Sequence, residues 1–266
     1  MKEADKQVQS NIFEGMTSIR AVLKSLEAGQ PGYDRKIVSV YFDESKKKAR
    51  AGELSYIKAM SYKYGFEVVG LPSVQIDEMA LGNSHGGLLM KTMSRTIPEL
   101  SATAINSCVP KENRFFVMLE GIEDPYNFGY ALRSLYAAGV SAVILTKRNW
   151  MTAAGVVCRA SAGASELVPM FQADQELCIT TMRELNVKII CADMKNSSSI
   201  YDANLKYPLF LAIGGEKRGL SRELLDAADE IIRLEYGRDF PAALSAASAA
   251  TIAGFEIMRR NLPNIH

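Results

Sequence analysis

Apolar runs and amphipathic stretches alternate regularly in the second half of the chain. Short apolar runs predict strands at "RFFVMLEGI", "SAVILT", "VKIICAD", "YPLFLAIGG" and "DEIIRLEYG". Helices are predicted between them, at "NFGYALRSLYAAG", around 153 to 164, at "DQELCITTMREL" and at "LSRELLDAA", and the alanine-rich "PAALSAASAATIAGFEIMRR" predicts a closely packed final helix. This alternation is typical of a parallel sheet covered on both faces, which binds ligands beyond the carboxyl ends of its strands.

The first half of the chain has the pattern of a smaller α/β domain. "IFEGMTSIRAVLKSLEAG" has apolar residues at helical spacing and ends at Gly29, and a second helix is predicted to end at Gly65. "KIVSVYF" and "FEVVGL" predict strands. The stretch 97 to 113 has two prolines and little periodicity, as a linker would. We therefore predict a first domain at 1–100, a linker at 101–112 and a second domain at 113–266.

Composition narrows the class of protein. The 266 residues are 48% hydrophobic and 23% charged, which suits two globular domains. A formal net charge of +1 means that any nucleic acid would have to bind a local basic patch. The four cysteines form no CxxC pair, so no metal site and no disulfide framework is expected. Without a signal peptide or an apolar membrane span, the sequence predicts a cytoplasmic protein.

Three polar stretches at strand ends in the second half could carry chemistry. After "LEGIEDPY", Asn127 could cap a helix with Arg133 solvated, or the two could face an anionic or hydroxyl-bearing substrate. "IGGEKRGLS" could be a tight turn with a solvated tip, or a cofactor loop that places Glu216. "AALSAAS" alone suits a tightly packed helix. No dinucleotide G-x-G-x-x-G or Walker pattern is present, which disfavours nicotinamide and ATP chemistry.

Together, and in this order, the three stretches resemble the motifs of the SPOUT superfamily, and within it the SpoU (TrmH-like) RNA 2'-O-methyltransferases. The first motif, N-x-G-x-x-x-R, matches Asn127 to Arg133, and the second, G-x-E-x-x-G-L, matches Gly214 to Leu220. The third normally reads S-L-N-V-S, and here Ser245 replaces its asparagine and Ala247 its last serine. The resemblance extends over roughly residues 113 to 260.

The resemblance implies a parallel-sheet domain whose C-terminal part forms a trefoil knot that binds S-adenosylmethionine. Arg133 would act beside a substrate phosphate as base or as electrostatic positioner, Asn127 would orient the hydroxyl or Arg133, and Glu216 would hold that geometry. The implied cofactor contacts are Gly214, Gly215, Leu234, Gly237, Leu244 and Ser245. No metal is implied, and the family's homodimer through the C-terminal domain is expected, with the small-residue final helix as the partner surface.

The first domain resembles the L30e-like RNA-binding domain found in this family. "NSHGGLL" is similar to the family's His-Gln-Gly stretch, with Gly86 in place of the glutamine. The residues expected to contact RNA are His85, Lys46, Lys47, Lys48, Lys91 and Arg95, with Arg50 a further candidate phosphate contact. The lysine run could equally be a solvated helix start.

The function that these motifs imply is methyl transfer from S-adenosylmethionine to a ribose 2'-hydroxyl, with ribosomal RNA favoured over transfer RNA. Two alternatives stay open at this point. The altered third motif and near-neutral charge would also suit an RNA-binding or ribosome-assembly module of the same fold with weak or lost catalysis. An unrelated doubly wound enzyme acting on a phosphorylated small molecule is the other.

Overall fold

The computed structural model describes residues 11–29, 32–112, 114–147 and 149–262. The chain divides into two compact units. The first unit comprises residues up to Thr96 together with Trp150–Leu167, and the second comprises Ile97–Asn149 and the residues from Val168 onward. The sequence had assigned 150–167 to the second domain, whereas these residues pack with the first unit. As a division into substrate and catalytic domains, the predicted boundaries stay a prediction.

The first unit contains a four-stranded mixed sheet in the order β1-β4-β2-β3. Strand β4 is antiparallel to both of its neighbours, and β2 is parallel to β3. The elements are β1 (Ile12–Glu14), α1 (Gly15–Ala28), β2 (Ile37–Asp43), α2 (Ala51–Tyr64), β3 (Glu67–Leu71), α3 (Ser73–Met79), β4 (Leu88–Thr92), α6 (Ala154–Ala160) and α7 (Ala164–Leu167). The prediction of a small α/β domain is therefore confirmed, and its likeness to L30e stays a prediction.

Glycines end the two long helices of the first unit, as the sequence predicts. Gly29 and Gly65 both take the left-handed conformation at the helix ends, which a residue without a Cβ adopts at little cost. The predicted start of the first helix is wrong, because Ile12–Glu14 form strand β1 and the helix begins only at Gly15. Strand β4 directly follows the glycine-rich turn at 82–87 and was not predicted.

A buried ion pair fastens 150–167 into the first unit. The Glu166 carboxylate accepts hydrogen bonds from Arg35 Nε at 2.8 Å, Arg35 Nη2 at 3.1 Å and the Tyr33 hydroxyl at 2.6 Å. Arg35 is 2% exposed and Glu166 is fully buried. Burial by itself raises the pKa of Glu166, but the Arg35 and Arg95 charges and the hydrogen bonds from Arg35 and Tyr33 hold it below its ordinary value. Glu166 is therefore ionised in the folded unit.

The second unit is built on a seven-stranded sheet in the order β7-β6-β5-β10-β8-β11-β9. Every pairing in it is parallel, which confirms the predicted parallel sheet. Its elements are α4 (Ala102–Cys108), β5 (Phe115–Glu120), α5 (Pro125–Ala137), β6 (Ala142–Leu145), β7 (Met170–Gln172), α8 (Gln175–Glu184), β8 (Lys188–Ala192), β9 (Ser198–Ser199), β10 (Leu209–Gly214), α9 (Arg222–Asp226), β11 (Glu230–Arg233) and α10 (Ala246–Asn261).

Both faces of this sheet are covered. Alternate residues of β5 and β10, such as Phe116 and Phe210, pack in one apolar cluster with residues of α4, α8 and α9. Their neighbours Phe115 and Leu209 point to the opposite face and are equally buried. Helix α4 lies within the stretch predicted as a linker, because Ile105 packs in that cluster. The described residues include no helix that is both long enough and apolar enough to cross a membrane.

Helices α5 and α10 pack closely against each other. The Thr251 hydroxyl donates to Ser134 Oγ at 2.7 Å, and a Cβ added at Gly254 would lie 3.1 Å from a Leu135 methyl carbon. The alanines Ala250 and Ala253 are buried. The small residues of the final helix, expected as a partner surface, therefore pack inside the chain.

We predict that Glu166→Gln lowers the free energy of unfolding of the first unit by about 3–5 kcal/mol, because it leaves Arg35 buried without a counter-charge. Urea denaturation measures the loss. The exposed Glu67, at the start of β3, supplies the matched control Glu67→Gln, which should change stability by no more than about 0.5 kcal/mol.

The pH dependence of the same pair gives a second readout. The folded pKa of Glu166 is lowered, so the stabilisation is present above the unfolded pKa and is lost as pH falls through the folded pKa. The difference in free energy of unfolding between the parent protein and Glu166→Gln should therefore become smaller as the pH is lowered. A gap that does not change with pH would contradict the ionised pair.

Candidate functional site

The first two polar stretches meet at the carboxyl ends of neighbouring strands. Strands β5 and β10 are paired in register, with Glu120 opposite Gly214. The backbone N–H of Gly215 donates to the Glu120 carbonyl at 2.7 Å, which extends the pairing past the end of β10. The turns that follow the two strands are further joined by an ion pair between Lys217 and Glu123, and the hydrogen bond from Lys217 lowers the pKa of Glu123.

Glycine is required at 214 and 215 by close backbone packing. A Cβ on Gly215 would lie 2.7 Å from the carbonyl carbon of Gly121, and a Cβ on Gly214 would lie 2.5 Å from the backbone nitrogen of Leu220. Neither glycine has a positive φ, although Gly219, at the end of the turn, does. Of these three glycines, only Gly219 needs a backbone conformation that favours glycine. At Gly214 and Gly215, the missing Cβ leaves room for backbone atoms of neighbouring segments.

Glu120 fixes the end of the turn that follows β10 through hydrogen bonds. The sequence motifs did not predict this role. One oxygen of its carboxylate accepts the Ser221 backbone N–H at 2.8 Å, and the other accepts the Gln175 side-chain amide. The Ser221 hydroxyl is buried and has no hydrogen-bond partner within the described part of the chain. The strand-ending acid in "LEGIED" was the available signal, but its partners lie 55 and 101 residues away.

Glu216 joins the third stretch to the other two. Its carboxylate accepts the backbone N–H of Ala246, the first residue of α10, at 2.9 Å. Ser245 caps the same helix, since its hydroxyl accepts the Ser248 N–H at 3.1 Å. An anionic side chain is favoured at a helix N-terminus, where unpaired N–H groups carry partial positive charge. The predicted residues Glu216 and Ser245 are thus brought to one place.

Asn127 and Arg133 lie on α5 in different settings. Asp124, rather than Asn127, caps this helix, since its carboxylate accepts the Asn127 N–H at 2.7 Å and Pro125 is the first helical residue. The Asn127 side chain is half-buried near the turn. Arg133 is exposed, and its side chain has no hydrogen bond or ion pair to any described residue. The two residues are six positions apart and therefore about 120° apart around the helix, so they do not form a pair within one chain.

The loop after β11 forms a pocket of about 500 Å³. Its lining comprises Glu235, Tyr236, Gly237, Arg238, Asp239, Phe240 and Leu244. The Leu244 backbone N–H donates to the Tyr236 hydroxyl at 3.1 Å, and the Tyr236 and Phe240 rings lie 6.3 Å apart. Gly237 and Leu244 were predicted here, whereas Tyr236 and Phe240 were not. Leu234 is half-buried directly before the pocket.

The residues predicted to bind RNA differ in how free they are. Lys46, Lys47 and Lys48 are exposed, and Lys91 is half-buried. His85 is buried, accepts the Gly87 N–H at Nδ1 and faces Asp77 through Nε2, so both of its ring nitrogens have partners. Arg95 stacks on the Tyr33 ring and donates to the Ser165 carbonyl. These roles stay predictions.

Comparison with known families gives a match over the second half of the chain. Residues 114–255, more than half of the sequence, match the family described as the SpoU rRNA Methylase family. Two curated relatives align over nearly the whole chain. A putative TrmH family tRNA/rRNA methyltransferase of Bacillus subtilis is 25% identical, covering 91% of this chain and 94% of that protein. A 23S rRNA (guanosine-2'-O-)-methyltransferase of Shewanella oneidensis is 26% identical, covering 95% and 98%.

Solved structures share the fold over almost the full length. An AdoMet-bound rRNA methyltransferase from Sinorhizobium meliloti superposes with a TM-score of 0.78 at 22% identity, covering 98% of this chain and 95% of that one. The SpoU methyltransferase AviRb from Streptomyces viridochromogenes gives 0.73 at 15% identity, covering 97% of each. The predicted α/β fold with its parallel-sheet domain is confirmed, and the trefoil knot stays a prediction.

We predict that Gly215→Ala lowers the free energy of unfolding by about 1–3 kcal/mol, because the new methyl group meets the backbone at Gly121. Gly237→Ala is the matched control, since nothing lies within 4 Å of a Cβ there and its φ is not positive. Thermal unfolding of the two variants checks the expectation. Equal midpoints would contradict the close approach of the two turns.

Proposed function

This chain belongs to the SpoU rRNA methylase family, and on that premise we propose that it transfers a methyl group from S-adenosylmethionine to a ribose 2'-hydroxyl of ribosomal RNA. Membership confirms the predicted family, the predicted class of enzyme and S-adenosylmethionine as the methyl donor that SpoU methyltransferases use. The choice of ribosomal over transfer RNA is supported by the curated relative of Shewanella oneidensis, which is named for 23S rRNA. Ribosomal RNA as substrate implies action in the cytoplasm.

The observation that carries the proposal is the meeting of three separate turns at one edge of the parallel sheet. The turn after β5 touches the turn after β10 at Gly121 and Gly215, and Glu216 reaches the start of α10. Ligands bind parallel α/β sheets at this edge. Residues some 120 positions apart in sequence are therefore arranged as one site.

The pocket after β11 suits S-adenosylmethionine in the chemistry of its lining. Tyr236, Phe240 and Leu244 offer apolar surface of the kind that an adenine and a thioether chain require. Asp239 and Arg238 supply charges of opposite sign, as a ligand with a sulfonium, an ammonium and a carboxylate requires. When bound, this molecule supplies an activated methyl group. Gly214 and Gly215 shape the adjoining turn, and Leu234, Gly237, Leu244 and Ser245 would hold the cofactor.

The proposed role of Arg133 is to position a phosphate of the substrate. A guanidinium is a poor proton acceptor, while its planar fork donates two parallel hydrogen bonds to phosphate. Arg133 is exposed and pairs with none of the described residues, so its charge is available to RNA. Asn127 would orient the ribose hydroxyl. Glu216 would hold the start of α10 beside the turn that follows β10. Holding the hydroxyl in line with the methyl group would supply much of the rate.

The altered third motif is compatible with an active enzyme. Ser245 stands where the family has asparagine, yet it caps α10, and serine and asparagine are about equally good at that position. Ala247 is buried, so its missing hydroxyl leaves no polar gap at the surface of the site. The substitutions therefore leave the start of α10 intact, and the two alternatives are separated by the activity test below.

We further propose that the chain works as a homodimer through the second unit. Helices α5 and α10 each leave large apolar or aromatic side chains exposed, including Tyr130 at 50% and Phe255 at 40%. Exposed apolar groups of this kind mark association surfaces. Arg133 also lies on α5. A dimer face on these helices would therefore place residues of the partner chain next to Arg133.

The dimer is tested by Phe255→Glu, which should shift sedimentation from twice the chain mass towards the monomer, because a charge would be buried in the interface. Phe240→Glu is the control, since Phe240 is exposed as well, at 55% against 40%, but lies in the loop after β11. A parent protein that sediments as a monomer at micromolar concentration would contradict the proposal.

The methyl transfer is tested with purified protein, S-adenosylmethionine and in vitro transcribed ribosomal RNA. We expect Arg133→Ala to lower the transfer rate by about 10²- to 10³-fold, as loss of one electrostatic contact to the reacting group does. Calorimetric affinity for S-adenosylmethionine should be unchanged, because Arg133 does not line the pocket.

The control is Arg222→Ala. Its side chain is 89% exposed, and its ion pair to Asp226 is long, at 3.6 Å, so it should retain the parent rate. Parent protein that binds S-adenosylmethionine and RNA without transferring a methyl group would instead favour the binding-only alternative.

A further inference from the structure

A basic cleft lies in the first unit, beside the start of α1. It has a volume of about 350 Å³, and its lining includes Arg50, Arg159, Thr17, Ser84 and Glu14. These residues come from four separate segments of the chain: the β1–α1 junction, the residue before α2, the turn before β4, and α6. We propose that this cleft binds a backbone phosphate of the RNA substrate, with the guanidinium groups of Arg50 and Arg159 as its two cationic walls.

The geometry holds both guanidinium groups in place. Arg159 Nη1 donates to Glu14 Oε2 at 2.6 Å, and a quarter of its side chain remains exposed. Arg50 pairs with Glu53 and is exposed to a similar extent. An arginine whose orientation is fixed in this way loses less freedom when it binds, and its fork matches the oxygens of a phosphate.

Each guanidinium of the cleft is paired with one carboxylate, Arg159 with Glu14 and Arg50 with Glu53. Among the described residues that line the cleft, Glu14 is the only one with a carboxylate. Its oxygens already accept the Arg159 guanidinium and the backbone N–H groups of Leu81 and Gly82. A phosphate would therefore bind the N–H groups of Arg50 and Arg159 that these two ion pairs leave exposed. The exposed hydroxyls of Thr17 and Ser84 add neutral donors at the rim, so the cleft suits an anion with several oxygens.

Two glycines make room for the arginines. A Cβ on Gly86 would lie 3.3 Å from the central guanidinium carbon of Arg50, and closer still to Nη2. A Cβ on Gly82 would lie 2.9 Å from the corresponding carbon of Arg159. Gly86 replaces the glutamine of the family's His-Gln-Gly stretch, and the Arg50 guanidinium occupies the space that a side chain at 86 would fill. A glycine at 86 therefore allows Arg50 to take its observed position.

This site rests on the proposed function, since the phosphate is that of the same ribosomal RNA. Of its two arginines, Arg50 was already a candidate phosphate contact, and Arg159 is new. The expected residues Lys46 to Lys48 lie on an exposed surface, whereas Arg50 and Arg159 line one cleft. His85 belongs to the lining, but its ring nitrogens are occupied by Gly87 and Asp77, so its role is to fix the turn that carries Gly86.

The test is equilibrium binding of the full chain to in vitro transcribed 23S rRNA, measured over a range of salt concentrations. Arg50→Gln should raise Kd by about 3- to 10-fold and lower the slope of log K against log salt by about 1, as loss of one phosphate contact does. Gly86→Asn should weaken binding in the same direction. Asparagine tolerates the positive φ of this position, and its side chain would displace the Arg50 guanidinium from the place that the ion pair with Glu53 gives it.

Arg159→Lys keeps a cation for the buried Glu14 but removes the fork, and it should also weaken binding severalfold. Arg20→Gln is the control, since it removes the same charge from an exposed position of α1 that does not line the cleft. It should bind within about twofold of the parent. Excess inorganic phosphate should compete with RNA for the parent more strongly than for Arg50→Gln at matched ionic strength.

The outcomes separate the site from the function. If the parent binds 23S rRNA and both Arg50→Gln and Gly86→Asn bind equally well, the cleft is not a phosphate site, although the proposed function stands. If Arg20→Gln loses as much affinity as Arg50→Gln, the effect is diffuse charge and the cleft is again excluded. A parent that binds no 23S rRNA while still binding S-adenosylmethionine would overturn the proposed substrate and the cleft together.

Discussion

The candidate site depends on a close approach of backbone to backbone at the ends of β5 and β10. Gly215 touches the chain at Gly121, and Gly214 touches the returning end of its own turn at Leu220. Only residues without a Cβ permit both contacts. Because the turns after β5 and β10 are in contact, Glu120 can accept the Ser221 N–H at the end of the turn after β10. Glu216, in the same turn, can reach the start of α10. The arrangement of the site therefore follows from two positions where no side chain fits.

The first unit is held by a different kind of constraint, a buried charge that needs its partner. Arg35 and Glu166 are 131 residues apart and almost fully buried, and each would be an isolated charge without the other. Their pairing draws 150–167 into the first unit, where Cys158 joins the apolar core. Arg159, in the same segment, then reaches Glu14 and one wall of the basic cleft. The segment that the ion pair holds in the first unit therefore also supplies one wall of the cleft.

Local patterns in the sequence predicted the elements whose signals are local. Hydrophobic period and capping residues predicted five of the seven strands of the parallel sheet and the glycine ends at Gly29 and Gly65, since each depends on a few neighbouring residues. The short strands β7 and β9 were not predicted. Strand β1 has three residues and β4 follows a glycine-rich turn, so neither had a readable period. The assignment of 150–167 depends on an ion pair with a distant residue, which no local pattern contains.

The same distinction applies to the site. The ordered motifs pointed to Gly214, Gly215 and Glu216, because the spacing within a motif can be recognised in a single sequence. Glu120 and Tyr236 were missed, because their roles depend on partners that only folding brings near. The motif also did not indicate that Arg133 is exposed, and its role beside the substrate stays a proposal.

The central claim is that this chain methylates a ribose in ribosomal RNA. It is tested most directly by mapping 2'-O-methyl groups across the ribosomal RNA of cells with and without the gene. The account predicts one ribose of 23S rRNA that is methylated only when the gene is present. Identical methylation maps in the two strains, with the gene expressed, would contradict it.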